Sequence, residues 1–303
     1  MTNFMYIFCL FAWGLNFIAV KIQGTPISLE LSLTYRLLIT AVLFIILSAF
    51  LRPKGKPEKT DIPFIFIFGI CNFMLSYLCL YYATILSSAA IVTLIFSLKV
   101  ILTPIALRIF LKESFHSRIL VGGVLGVAGV CILLYPNMGD IHSVSDLKGI
   151  LIAFLGTVIT AIGDATSARN AKKKVNPLYA NAIGFTVGGL LLGGVVLFQG
   201  QEIGFPTSIS YWSGLLYLTL IASFSAWLFY LKLVERIGGA KSGYMVALFP
   251  AIAGVASVTI GESEPSIYLI IGCICSCLGA GIALGLGSYL SKITPKINNS
   301  IDK

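Results

Sequence analysis

Charge is what this chain has least of. Asp, Glu, Lys and Arg together make up 11% of its 303 residues, and 57% of the residues are apolar, whereas a soluble domain carries about 25% charge. So few charged side chains cannot cover a water-facing surface. That excludes a soluble enzyme, a secreted disulfide scaffold, a disordered chain and a collagen-like one. Histidine is scarcer still, with only His116 and His142, both in polar segments. An enzyme working inside a membrane needs clustered carboxylates, histidine pairs or an activated nucleophile at depth. The apolar runs hold one well-embedded acid, Asp164, and no histidine. A nucleotide-driven pump is excluded too, because Pro57 follows the Gly55-Lys56 pair and a phosphate-cradling loop cannot form there. Nothing resembles a channel filter, and no cofactor or metal is expected. The seven cysteines all fall inside apolar runs. Cys273, Cys275 and Cys277 would point in three directions from a helix, so the thiols are expected to be small buried packing groups.

What the chain does have is long apolar runs, at a mean hydropathy of +0.96. Ten runs have about the 20 residues that a bilayer requires: 3–22, 29–51, 62–83, 87–110, 118–136, 148–168, 178–198, 210–233, 241–260 and 267–290. The fold class expected is an all-α integral membrane protein with ten transmembrane helices. The first run has no basic residue before it and no small-residue cleavage site after it, which makes it a span and not a removable signal peptide.

Lys and Arg give the orientation. One side of the membrane receives Arg52, Lys54, Lys56 and Lys59; Arg108, Lys112 and Arg118; Arg169 and Lys172–Lys174; Lys232, Arg236 and Lys241; and Lys292, Lys296 and Lys303. These are 17 of the 21 basic residues. Lys21 and Lys148 fall on the other side, and Arg36 and Lys99 lie within spans. Both termini are therefore expected in the cytoplasm. The same distribution explains the net charge of +9: it is an orientation signal, with no aromatic-interleaved patch for nucleic acid.

A shift of about 149 residues superposes one half on the other. Ala12 and Gly14 fall on Ala161 and Gly163, Glu113 on Glu262, Gly123 on Gly272 and, with one gap, Ala90 on Ala240. The expected units are residues 1–141 and 142–291, followed by a short cytoplasmic tail, 292–303. Five spans per unit is an odd number, so the second unit must insert upside down. Inverted repeats of this kind are the architecture of secondary transporters, with the substrate near the midplane.

The chain also resembles a known family. Ala12-Trp13-Gly14-Leu15-Asn16-Phe17, the Tyr35-Arg36 pair, Tyr82-Ala83 with Ser88-Ala89-Ala90, Lys112-Glu113, and Gly122, Gly123, Gly126 and Gly129 are similar to the EamA-type branch of the drug/metabolite transporter superfamily. The resemblance covers nearly the whole chain. It implies a ten-helix bundle of two inverted five-helix repeats that exports or exchanges small metabolites, often amino acids or related zwitterions, across a bacterial inner membrane. A related member type imports S-adenosylmethionine, so the resemblance fixes neither substrate nor direction.

Candidate binding residues follow from depth. Lys99 stands near the midplane of the fourth run, where a charge costs about 2.5–3.5 kcal/mol on insertion scales, and is expected to meet a substrate carboxylate or phosphate. Asp164, four-fifths along the sixth run, looks too far toward the cytoplasm to be its partner. Replacing Lys99 with Ala would then relieve an insertion cost. Asp164 is read as a counter-ion for Arg169 or Lys172–Lys174, or as the group that exchanges a coupling proton. Arg36 is assigned to structure and lipid headgroups. Trp13, Asn16, Tyr77, Tyr81, Trp227 and Tyr244 are expected to supply the aromatic and amide lining of a pocket. Pro104 and Pro250 are expected to kink the fourth and ninth runs. Gly122 with Gly126, and Gly281 with Gly285, suit close helix packing, within one chain or between two copies in a homodimer.

Overall fold

Hydrocarbon offers backbone amides no water, so each apolar run must close its hydrogen bonds within itself as a helix. A computed structural model describes residues 1–113, 117–135, 144–259, 261 and 266–284, and the described residues form helices and connecting turns without a strand. Seven helical segments are long and apolar enough to cross a bilayer: Thr2–Gln23, Leu29–Leu51, Ile62–Leu86, Ile91–Leu111, Leu147–Lys172, Pro177–Phe198 and Ile209–Ile237. Shorter apolar helices run over Leu120–Gly129, Met245–Ala256 and Ile270–Gly279. Large apolar side chains cover the outside, Phe50 and Phe198 among them, as contact with lipid requires and contact with water would penalise. The C-terminal end of the last run, from Gly285, the tail, and Glu262 after the ninth run lie outside the described residues.

Several segments are interrupted part-way along. Helix α1 (Thr2–Gly14) gives way at Leu15 to α2 (Asn16–Gln23). Helix α3 (Leu29–Leu51) is continuous and is capped by the Ser28 hydroxyl, which accepts from the Leu31 N–H at 3.2 Å. Helix α4 (Ile62–Gly69) widens into a π-helical stretch, Ile70–Leu75, before α5 (Ser76–Leu86). Helices α6 (Ala89–Ser97) and α7 (Lys99–Leu111) meet at Leu98, where the Ile101 N–H reaches back only three residues to the Leu98 carbonyl.

Further along the chain α9 is continuous, and later segments are interrupted again. After α8 (Ser117–Leu134), α9 (Val144–Lys172) and α10 (Pro177–Phe198) come α11 (Ile209–Leu216), a π-helical stretch over Tyr217–Ser225 and α12 (Ala226–Ile237). Then α13 (Gly239–Gly243) and a tight 3₁₀ stretch, Tyr244–Leu248, lead into α14 (Phe249–Thr259), with α15 (Ile267–Leu284) last. π-Helical turns are uncommon and gather at functional sites.

One expectation about proline is corrected. Pro104 lies inside α7, six residues after the break at Leu98. Pro250 sits in the first turn of α14, where a helix has no use for the missing N–H, so it opens a helix and does not kink one. Cysteine burial is also uneven. Cys9 is buried, but Cys131 on α8 and Cys277 on α15 are exposed, which in a bilayer places them against lipid.

Glycines bring the helices together. A Cβ added to Gly69 of α4 would lie 2.5 Å from the Gly184 carbonyl oxygen of α10. One added to Gly279 of α15 would lie 2.5 Å from the Gly122 carbonyl oxygen of α8 and 2.8 Å from the Gly126 nitrogen. The α8 glycine face therefore packs within one chain, against α15. We expect Gly69→Val to lower the thermal midpoint in detergent, at a cost of about 1–3 kcal/mol or more for forcing two backbones apart. Gly194 has open space around the same position, so Gly194→Ala should leave the midpoint level or raise it slightly.

Candidate functional site

The interruptions border one cavity. It has an empty volume of about 510 Å³, part of it open to solvent. Trp13 and Asn16 approach from either side of the Leu15 break, and Phe96 and Lys99 from either side of the Leu98 break. Tyr77 and Tyr81 come from α5, Thr160 from α9, Trp227 from α12 and Phe249 from the start of α14. Trp13, Asn16, Arg36, Tyr77, Lys99, Thr160 and Trp227 all lie within about one helical turn of the middle of their segments. In a membrane, the cavity is consequently at mid-depth. Six of the expected binding residues line it: Trp13, Asn16, Tyr77, Tyr81, Lys99 and Trp227. The side chain of Tyr244 lies outside the described part of the structure.

Its aromatic wall is fixed before any ligand arrives. The Trp13 ring meets Trp227 at 5.2 Å and Tyr230 at 5.0 Å, both edge-on. Such contacts add about 0.5–1.5 kcal/mol each to the area buried. The Trp13 indole N–H donates to the Ala222 carbonyl at 2.7 Å, inside the second π-helical stretch, and the Trp227 indole N–H donates to the Tyr77 hydroxyl at 2.6 Å. Across the cavity the Ser76 and Thr160 hydroxyls bond to one another. A pocket of this kind is apolar with a few placed polar groups, as small-molecule sites generally are.

Arg36 overturns its assignment to lipid headgroups. It is 0% exposed and its guanidinium lies at the cavity wall. Its Nε donates to the Ser223 hydroxyl at 2.9 Å, Nη1 to the Tyr81 hydroxyl at 3.2 Å and Nη2 to the Asn16 side-chain carbonyl at 3.1 Å. Its Cζ stands 4.4 Å from the centre of the Tyr77 ring. All of these partners are neutral. Among the described residues no carboxylate comes within ion-pair distance of Arg36.

Lys99 and Asp164 overturn the second expectation. The Lys99 ammonium and Asp164 Oδ2 are 2.9 Å apart, each side chain 3% exposed, and the Thr103 hydroxyl donates to the same oxygen at 3.1 Å. Asp164 is in reach because α9 packs along α7, where Ala161, Ala165 and Ala168 meet Ala106 and Leu107. The other oxygen, Oδ1, is buried without a hydrogen-bond partner.

Two of the groups expected to neutralise Asp164 are occupied elsewhere. Arg169 Nη1 bonds Asp61 Oδ1 at 2.5 Å, and Lys172 bonds Glu113 at 2.6 Å. Together these pairs tie the end of α9 to the residue before α4 and the residues after α7. Asp61 lies outside the spans. Burial pushes its pKa up, but the Glu58 N–H and the Arg169 guanidinium, with Lys173 behind, outweigh that and hold it below the usual carboxylate value. A carboxyl lowered in the folded state contributes stability that is present above its unfolded pKa of about 3.9 and is lost as pH falls through the lower folded value. Asp61→Asn should thus lower the thermal midpoint at neutral pH, where the contribution is present, and flatten the acid limb in that window, with the two curves meeting below it. An unchanged acid limb would show that the Arg169 contact does not hold in solution.

Comparison with known proteins decides the family. The model of the EamA-like transporter family matches residues 1–135 and 147–285. The chain belongs to the EamA-like transporter family. It is similar to two Bacillus subtilis proteins known as uncharacterized transporters. YyaM is 25% identical over 90% of this chain and 90% of its own length, and YdfC is 26% identical over 86% and 84%. An uncharacterized transporter from Archaeoglobus fulgidus is 24% identical over 92% of this chain and 94% of its own. A protein crystal structure shares the fold with a TM-score of 0.72 at 18% identity, covering 95% of this chain and 98% of that one. The EamA-like chain is accordingly a multi-pass membrane protein of a transporter family.

Sequence reasoning misses Arg36 and Ser223 as parts of the EamA-like chain's cavity. A charged residue within a span is the available signal for Arg36, but a single sequence does not show which groups meet it. Ser223 carries no signal, since its direction is set by the π-helical stretch around it.

Proposed function

We propose that this chain is a secondary transporter of small metabolites, amino acids or related zwitterions, working by alternating access between two inverted five-helix halves in a bacterial inner membrane. The observation that carries this reading is the mid-depth cavity. Residues from both matched halves line it, and two of the helix interruptions fall at corresponding places in the halves. Shifted by 149 residues, the stretch Ile70–Leu75 falls inside Tyr217–Ser225. With the one-residue gap, the break at Leu98 falls on Leu248, where the 3₁₀ stretch ends. Interrupted helices in equivalent positions are what a rocking mechanism around a fixed site needs. Trp13, Asn16, Tyr77, Tyr81, Lys99 and Trp227 form the substrate site, and Asp164 exchanges the coupling proton.

Flux into proteoliposomes tests the reading, using a panel of labelled amino acids and S-adenosylmethionine with and without a pH gradient. Saturable uptake of an amino acid supports it. Uptake of S-adenosylmethionine alone would replace the substrate class and keep the mechanism, and no saturable uptake of any kind would overturn it. Orientation has its own test. With both termini cytoplasmic, reporter fusions after residues 56, 115, 173 and 237 should read cytoplasmic, and those after 25, 143, 203 and 264 periplasmic. A reproducible inversion in the middle of either half would break the inverted-repeat argument.

A further inference from the structure

We infer that Arg36 is the anion-binding residue of the cavity and that it receives the carboxylate of the transported molecule. The inference rests on the cavity being the substrate site. Two cations line that cavity, and they differ in one respect. Lys99 already has a carboxylate at 2.9 Å, so its charge is balanced without a ligand. Arg36 is fully buried and surrounded by neutral acceptors and an aromatic face.

A buried cation without a counter-ion is costly to keep in a protein, and more so in a membrane. The surroundings of Arg36 reduce that cost but do not cancel the charge. Three bonds to neutral acceptors engage three of the five N–H groups a guanidinium carries. One N–H on Nη1 and one on Nη2 remain to donate, and a carboxylate has two oxygens to accept them. Asn16, Tyr81 and Ser223 hold the planar group from three elements, α2, α5 and the second π-helical stretch, and the Tyr77 ring lies against its face at 4.4 Å. A group held in this way is oriented before the ligand arrives, which lowers the entropy lost on binding. The chemistry it fits is a planar anion joined to an apolar body: the carboxylate at Arg36 and the rest against Trp13, Tyr77 and Trp227. A phosphate would carry more charge than one uncompensated guanidinium offsets, so the carboxylate class is preferred.

The test uses full-length protein in detergent and carboxylate–carboxamide pairs: phenylacetate with phenylacetamide, L-phenylalanine with L-phenylalaninamide, and L-leucine with L-leucinamide. Tryptophan fluorescence reads occupancy, because Trp13 and Trp227 line the cavity. At least one acid should bind the wild type with about tenfold or higher affinity than its amide, the ratio expected for hydrogen bonds to a charged group. Arg36→Gln should erase that ratio while its unliganded melting curve stays cooperative. Arg36→Lys keeps the charge without the fork and guards against a misfolded glutamine variant; it should retain a reduced preference for the acid. Equal binding of every acid and its amide to the wild type, or an undiminished preference in Arg36→Gln, would overturn the assignment and leave the cavity as a substrate site. Absence of binding by every member of the panel would overturn the assignment, while the flux measurement judges the transporter reading separately.

Discussion

Replacing Lys99 alone with Ala is expected to destabilise the protein by about 3–5 kcal/mol, and Lys99→Ala combined with Asp164→Ala is expected to recover most of that loss. The single change leaves the Asp164 carboxylate buried at mid-depth with only the Thr103 hydroxyl beside it. The double change removes both charges and exchanges an ion pair for apolar surface, which is often neutral in stability. A membrane insertion scale treats Lys99 as an isolated charge and predicts the opposite for the single variant. Thermal midpoints in detergent for the wild type, the two single variants and the double variant form the cycle. Equal stability of all four would mean that the 2.9 Å contact does not persist. In flux assays both Lys99→Ala and the double variant should lose gradient-driven transport, since neither retains a working pair.

Asp164→Asn should separate binding from coupling. Asparagine keeps the shape of the side chain and a carbonyl for the Thr103 hydroxyl, but it cannot take up a proton. Counterflow, which needs substrate exchange and no gradient, should remain measurable after correction for the amount of folded protein. Accumulation driven by a pH gradient should fall to the level seen without one. Two features suit Asp164 to proton exchange, the unpartnered Oδ1 and the contact between Oδ2 and Lys99. Protonation would release Lys99 from its counter-ion and change the charge at the cavity wall. An unchanged response to the gradient in Asp164→Asn would move the coupling site elsewhere.

Hydropathy makes the long elements legible because lipid imposes them. The run 29–51 coincides with Leu29–Leu51, and 178–198 differs from Pro177–Phe198 by one residue. The sixth run reads too short. Arg169 and Lys172 look like the end of a span in a hydropathy window, yet α9 continues through them because Asp61 and Glu113 take up their charge. What hides the pairing of Asp164 with Lys99 is the packing of α9 on α7, which hydropathy does not report. The breaks at Leu15 and Leu98 and the two π-helical stretches are not legible either, since polar residues such as Asn16, Asn72 and Ser97 stand there as Thr34, Thr40 and Asn181 stand in the unbroken α3 and α10, and only the hydrogen-bond ladder changes. The aromatic lining is readable because Trp13, Tyr77 and Trp227 lie away from span ends, where interfacial belts do not explain them. Arg36 is visible as a residue but not as a member of the site. Its neighbours Asn16, Tyr81 and Ser223 come from distant parts of the chain, and a single sequence does not show that they meet.

Alternating access of the cavity is the claim on which the rest depends, and a single accessibility measurement tests it most directly. Leu80 lines the cavity without contributing a polar group to it. In a background with Cys9, Cys71, Cys79, Cys131, Cys273, Cys275 and Cys277 replaced by Ala or Ser, Leu80→Cys offers one thiol to a membrane-impermeant reagent added to either face of oriented vesicles. The account predicts labelling from both faces, with a transported substrate slowing the reaction at each. Labelling from one face alone under every condition, with no effect of substrate, would contradict it.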